Sequence, residues 1–211
     1  MAPNSFLVSD PAYGPVLSKL RQGVKRPATV RALVGELTRI LTKDAVKEAP
    51  SPDEKIAVIV ILRSGLAMME PFVDCLPEDT DMVIHHIGLF RERHTLQPVE
   101  YYNKLPLKDS NIKHAYVLDP LVATGGTAGA AISILREWGV ESISFLSLLA
   151  SRPGLEKAAN VWPENTRFFV GAVDEELDSK GYVKPGLGDI GDSLFGTGNS
   201  PSQQITRVYM L

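Results

Sequence analysis

The 211-residue chain holds a single cysteine, Cys75. An intrachain disulfide is therefore excluded, a reducing intracellular setting is expected, and Cys75 is expected to fill a small space in the core. No apolar run approaches the ~18 residues that a membrane span needs, and Met1-Ala2-Pro3-Asn4-Ser5 shows no basic stretch leading into an apolar core. A soluble, cytoplasmic protein with no membrane partner is the expectation. Basic excess is also missing: 22 Lys and Arg face 25 Asp and Glu, a net charge of -3. Nucleic-acid partners usually demand the opposite sign, so none is expected, although an anionic small molecule can still be met by basic residues placed locally. Internal repeats and low-complexity tracts are absent as well.

What is present, with 44% hydrophobic residues, suffices for one α/β domain with elaborations. Pro27 to Thr42 carries Val30, Leu33, Val34, Leu37, Ile40 and Leu41 on one broad stripe, with proline in the first turn, and predicts a helix. Lys55 to Leu62 is a nearly continuous β-branched run, the pattern of a central strand covered on both faces. A helical segment follows from Gly65 toward Cys75, interrupted or kinked at Pro71. Further strands are expected at Met82 to Leu89, Ala115 to Leu118, Ile143 to Leu149 and Arg167 to Val173, with helices after Thr127, ended by Gly139, and after Pro153. Alternation of this kind predicts a doubly wound, mostly parallel sheet of about five strands flanked by helices, with ligands beyond the strand carboxyl ends. Residues 1–50 read as a helical segment packing on a core of residues 51–197, and residues 198–211 as a tail.

Chemistry concentrates at Val117 to Thr127, V-L-D-P-L-V-A-T-G-G-T. A short apolar strand ends in Asp119 and opens a Gly-rich turn before the helix. First-turn amides there lack intrahelical partners and the helix dipole is positive, so an anion such as a sugar 5'-phosphate is stabilised. Two glycines allow close backbone approach, the threonine hydroxyls add donors, and Asp119 can accept hydrogen bonds from ribose hydroxyls. Two segments fall outside the alternation. Arg91 to Pro106 is charged, aromatic and bounded by proline, and reads as a hairpin excursion, residues 90–106. Lys184 to Thr197 carries glycines at 186, 188, 191 and 196 and is expected to form neither regular helix nor strand.

The motifs Ile61-Leu62-Arg63-Ser64-Gly65-Leu66, His86-Ile87-Gly88-Leu89-Phe90-Arg91, Glu100 to Pro106, Asp119 to Thr127 and Gly181 to Asp189, in that order from about residue 20 to residue 197, resemble uracil phosphoribosyltransferases of the type I phosphoribosyltransferase superfamily. The resemblance implies transfer of ribose 5-phosphate from phosphoribosyl pyrophosphate (PRPP) to N1 of uracil, giving UMP and pyrophosphate. By the same resemblance, Arg91, Asp119 and Asp189 are catalytic. PRPP is met by Arg63, Arg91, Asp119, Pro120, Leu121, Val122, Ala123, Thr124, Gly125, Gly126, Thr127 and Asp189. Uracil is read by Val183, Gly188, Asp189 and Ile190, within a base-binding segment and Gly-rich hood at residues 181–197. A divalent ion, Mg²⁺, comes mainly with the pyrophosphate, and no protein metal site is expected. Homodimers or larger homo-oligomers are implied, and GTP as an allosteric activator in some members. The rival reading is a non-catalytic PRPP- or nucleotide-sensing paralogue or pyrimidine regulator on the same fold.

Departures from the family pattern include Arg21-Gln22-Gly23 near the N-terminus, Ser64 where alanine is usual, and Ile190 where alanine is usual beside the base. The adjacent His85 and His86 point to opposite faces of a strand, which disfavours a shared metal and puts at least one in the core. His94 and His114 read as surface residues. Asp174-Glu175-Glu176 reads as a solvated acidic loop, and the excursion and first long helix as interface material.

Overall fold

A computed structural model describes residues 2–23, 25–47, 54–92, 95 and 97–198. Its elements, in chain order, are β1 (Ser5–Leu7), α1 (Tyr13–Arg21), α2 (Pro27–Ala45), β2 (Lys55–Leu62), α3 (Leu66–Val73), β3 (Met82–Arg91), β4 (Pro98–Asn103), β5 (Ile112–Leu118), β6 (Leu121–Val122) and α4 (Gly126–Trp138). There follow β7 (Ser142–Ser147), β8 (Leu149–Ser151), α5 (Arg152–Ala159), β9 (Thr166–Val170), β10 (Val173–Asp174), β11 (Glu176–Leu177), β12 (Val183–Lys184) and α6 (Ile190–Phe195).

The main sheet runs β1-β9-β7-β5-β2-β3-β4, parallel except where β4 returns antiparallel along β3. The α/β class and the mostly parallel sheet are as expected. β2 shows why its sequence is apolar throughout. Ala57, Ile59 and Ile61 enter the layer beneath α4 and α5, while Ile56, Val58 and Val60 enter the layer beneath α1, α2 and α3. Each such aliphatic side chain contributes roughly 1.5–3 kcal/mol when withdrawn from water, so a central strand cannot alternate apolar and polar residues.

Several expectations change. The sheet has seven strands: β1 adds to β9 in parallel register, Ser5 opposite Phe168, and β4 forms the hairpin excursion. The expected strand Ile143 to Leu149 divides into β7 and β8, and Arg167 to Val173 divides into β9 and β10. In both cases the chain leaves the main sheet for a small parallel one, β10-β8-β6. Lys184 to Thr197 is not irregular throughout. Asp189 caps α6 by accepting from the Asp192 amide at 3.0 Å, and Gly196 (φ 67) ends it. The α2 stripe is interior rather than interface material, since Val34, Leu37 and Leu41 are fully buried. Cys75 is only half-buried, its thiol donating to the Pro71 carbonyl. Neither His85 nor His86 is buried. His114 is no free surface residue: its ring nitrogens lie 2.7 and 3.1 Å from the Ser142 and Ser144 hydroxyls, and burial pushes its pKa down to about 4. Among the described residues no helix is long and apolar enough to cross a membrane.

Candidate active site

β2 and β5 deliver their carboxyl ends side by side, and the site grows from those two ends. β5 runs straight into Asp119, whose amide donates to the Leu146 carbonyl at 3.2 Å. Asp119 is 6% exposed. Burial pushes its pKa up to about 7, opposed by hydrogen bonds from the Leu121 amide and from Ser64, whose hydroxyl lies 3.4 Å from Oδ1. Pro120 is buried, and its carbonyl accepts from the Leu149 amide. β6 then pairs with β8, Leu121 opposite Leu149 and Val122 opposite Ala150, which fixes the path of the chain toward the turn.

The turn itself is clamped from below. Gly125 stands at φ 74 as the residue capping α4, and no side chain caps that helix end, so neither Thr124 nor Thr127 serves as an ordinary cap. A Cβ on Gly125 would sit 2.2 Å from the Gly154 carbonyl oxygen, and one on Gly154 would sit 1.9 Å from the Ala123 carbonyl oxygen. Glycine is required at both because backbone passes against backbone. Ser151 completes the clamp: its hydroxyl donates to the Ala123 carbonyl at 2.5 Å and accepts from the Gly154 amide at 2.9 Å as the N-cap of α5.

These elements enclose a cleft of about 190 Å³, bordered by Ser64, Asp119, Leu121 to Gly125 and Thr127 on one side and by Gly181, Tyr182, Gly188, Asp189 and Ile190 on the other. Leu89 and Phe90 of β3 close an end. The cleft thus brings together the acid, the Gly-rich turn and most of the C-terminal residues singled out from sequence. It does not bring all of them. Val183 is buried in β12, paired with Leu177, and Gly126 begins α4 beside the lining. Ile190 borders the cleft yet packs in the core cluster with Leu194, so its size serves packing as well as the pocket wall. Arg63 lies outside the lining: its guanidinium bonds Asp192 at 3.0 Å and Thr197 at 3.1 Å and sits 5.7 Å from the Phe195 ring centre. The Leu62–Arg63 peptide bond is cis. Arg91 ends β3 opposite Pro98, and its side chain, like all of His94, lies outside the described residues.

One group escaped the sequence reading. Asp174 is not part of a solvated loop; it is 8% exposed, meets Arg21 at 2.8 Å and accepts from the Gly186 amide at 2.9 Å. No local pattern announces a pair separated by 153 positions. Glu175, by contrast, is exposed and pairs with Arg152.

A strand-ending acid, a glycine clamp and a helix N-terminus thus meet at the carboxyl end of a parallel sheet. A model of the family described as uracil phosphoribosyltransferase matches residues 49–197. The uracil phosphoribosyltransferase of Roseiflexus castenholzii is 39% identical over 209 residues, covering 92% of this chain and 98% of that protein. The urg2 protein of Schizosaccharomyces pombe is 45% identical over 193 residues, covering 92% and 90%. Among solved structures, the AQ2163 protein from Aquifex aeolicus superposes with a TM-score of 0.81 at 27% identity, covering 90% of this chain and 97% of that one. The chain belongs to the uracil phosphoribosyltransferase family.

Proposed function

We propose that the cleft joins uracil to PRPP, forming UMP and pyrophosphate in pyrimidine salvage. The observation that carries this reading is the buried Asp119 facing a glycine-clamped turn at the start of α4. The 5'-phosphate lies on the first-turn amides around Thr124 to Thr127, where helix polarity and exposed N–H groups favour an anion. Asp119, ionised, accepts from the ribose diol. As the bond to pyrophosphate breaks, the ribose gains oxocarbenium character and the leaving oxygen gains negative charge, so catalysis is electrostatic stabilisation and positioning. Arg63 and Arg91 stabilise the departing pyrophosphate through fork-shaped donors, Arg63 exchanging Asp192 for phosphate oxygens. A Mg²⁺ carried mainly by PRPP belongs to this reading, with Asp119 and Asp189 the carboxylates bordering the cleft. That ion, when bound, neutralises the pyrophosphate charge.

Uracil is read by backbone groups from Val183 to Ile190, with Asp189 reaching both substrates. A site that satisfies each donor and acceptor of uracil rejects cytosine, whose exocyclic amine meets a donor. The 181–197 segment acts as the hood over the base. Cytoplasmic location and a homodimer or larger homo-oligomer belong to this reading; the exposed Phe90, Val99 and Tyr101 of the β3–β4 hairpin suit a subunit contact. GTP as an activator rests on the resemblance alone. Purified chain with PRPP, Mg²⁺ and uracil is expected to release UMP. Arg91→Ala should lower turnover more than uracil binding. Absence of UMP, with PRPP still bound, would favour the sensing role instead.

A further inference from the structure

We propose that Asp174 is a positioning residue for base recognition: held by Arg21, its carboxylate fixes the Gly186 amide and thereby the backbone that reads uracil. The inference rests on the uracil reading above and adds a residue to it.

Asp174 occupies a junction. It ends β10, opposite Ser151 of β8, in the small sheet whose third strand is β6. The same sheet therefore contains Asp174 and, in Leu121 and Val122, part of the cleft wall on the phosphate side. The carboxylate's other partner belongs to the base side. Oδ2 accepts from the Gly186 amide at 2.9 Å, two positions before Gly188, where the chain enters the cleft lining. One carboxyl group thus sets the distance between the two halves of the site.

Conformation makes that tether matter. Gly186 stands at φ +58, and a Cβ there would lie 2.0 Å from the Val183 carbonyl oxygen. Gly188 also has positive φ, +64. Between them Leu187 packs against the core cluster, so that side chain and the Gly186 hydrogen bond to Asp174 together place the turn. The body end is Arg21, from the last turn of α1. Its Nη2 lies 2.8 Å from Oδ1 and 3.0 Å from Oδ2, while its Nε is buried without an acceptor. The Arg21 side chain is partly exposed, and an ion pair of this kind is in general weak evidence of stabilisation. Fixing a backbone donor is the role this arrangement serves well.

The test is steady-state kinetics on the full chain with each substrate varied in turn. Asp174→Asn presents an amide where Arg21 and Gly186 both donate, so one bond is lost; the KM for uracil should rise about 10-fold while the KM for PRPP stays within about 2-fold. Arg21→Met keeps the carboxylate but frees it, with a uracil KM about 3-fold higher, and Arg21→Lys should restore most of the loss. If Asp174→Asn does not fold, Arg21→Met carries the test. A uracil KM unchanged in the folded variants, or both KM values rising together, overturns the inference. A wild-type chain that makes no UMP instead overturns the activity on which it rests.

Discussion

The two walls of the cleft are built on different principles. The phosphate wall, residues 119–127, hangs from the carboxyl end of β5, pairs through β6 and is wedged against the start of α5 by two glycines whose neighbours are backbone atoms. The base wall, residues 181–190, has positive φ at Gly181, Gly186 and Gly188 and is held to the body through Asp174, the inward side chains of Val183, Leu187 and Ile190, and the six-residue α6. A rigid wall suits a charged group that must be met in one geometry. A wall held by side chains and one carboxylate, rather than by backbone wedged on backbone, suits a small planar base that must enter and a nucleotide that must leave.

Substituting a glycine on each wall should separate their roles most sharply. Gly154→Ala puts a methyl 1.9 Å from the Ala123 carbonyl oxygen, so the phosphate turn must shift; kcat/KM for PRPP should fall about 100-fold in initial-rate assays. Asp119→Asn keeps the shape but weakens the diol contact, and about 30-fold lower kcat/KM for PRPP is expected. Gly188→Ala meets nothing within 4 Å, yet its φ of +64 costs roughly 1–2 kcal/mol in an L-residue. It should act mainly on uracil, raising its KM about 10-fold, with a smaller effect on PRPP through the neighbouring Asp189. Equal losses for PRPP and uracil in Gly154→Ala and Gly188→Ala would erase the distinction between the walls.

Asp119 adds a pH dependence of defined sign. Its folded pKa, about 7, lies above the ordinary 3.8, because burial disfavours the charged form. The native chain therefore binds the proton more tightly than the unfolded one. The associated stability is complete below pH ~4 and is lost as pH rises through about 7. Denaturation midpoints of the unliganded protein should show this fall, and Asp119→Asn should remove it. PRPP binding runs the other way, since the ionised acid accepts the diol, so its KM should fall as pH rises through about 7. Ser64→Ala removes a donor to the carboxylate and should move that midpoint upward, the smallest of these effects, with about a 2-fold rise in PRPP KM at neutral pH. A midpoint that moves down would show that Ser64 does not support the anion.

How much of this was legible in the sequence follows from how local each signal is. The unbroken apolar run of β2 and the glycine-threonine turn before α4 announce themselves within ten residues. Only the three-dimensional arrangement shows why Gly154 matters, since its partner is the backbone of Ala123. β1, β6, β8 and β10 have two or three residues each and owe their existence to pairing with distant strands, which no periodicity reveals. The short α1 gives only a weak signal, although Val16, Leu17 and Leu20 have helical spacing, and all three are buried. α6 was obscured by its flanking glycines, yet Asp189 and Asp192 carry the spacing of an N-cap with an acid in the first turn. The position of Arg63 just after β2 is visible in the sequence, but its engagement with Asp192 and Thr197 is a tertiary fact.

A crystal structure of the chain with UMP bound decides whether the phosphate wall does what its geometry implies. Phosphate oxygens should lie within hydrogen-bonding distance of amides between Thr124 and Thr127, with both ribose hydroxyls on Asp119. A phosphate bound elsewhere, or a ribose turned away from Asp119, would contradict it.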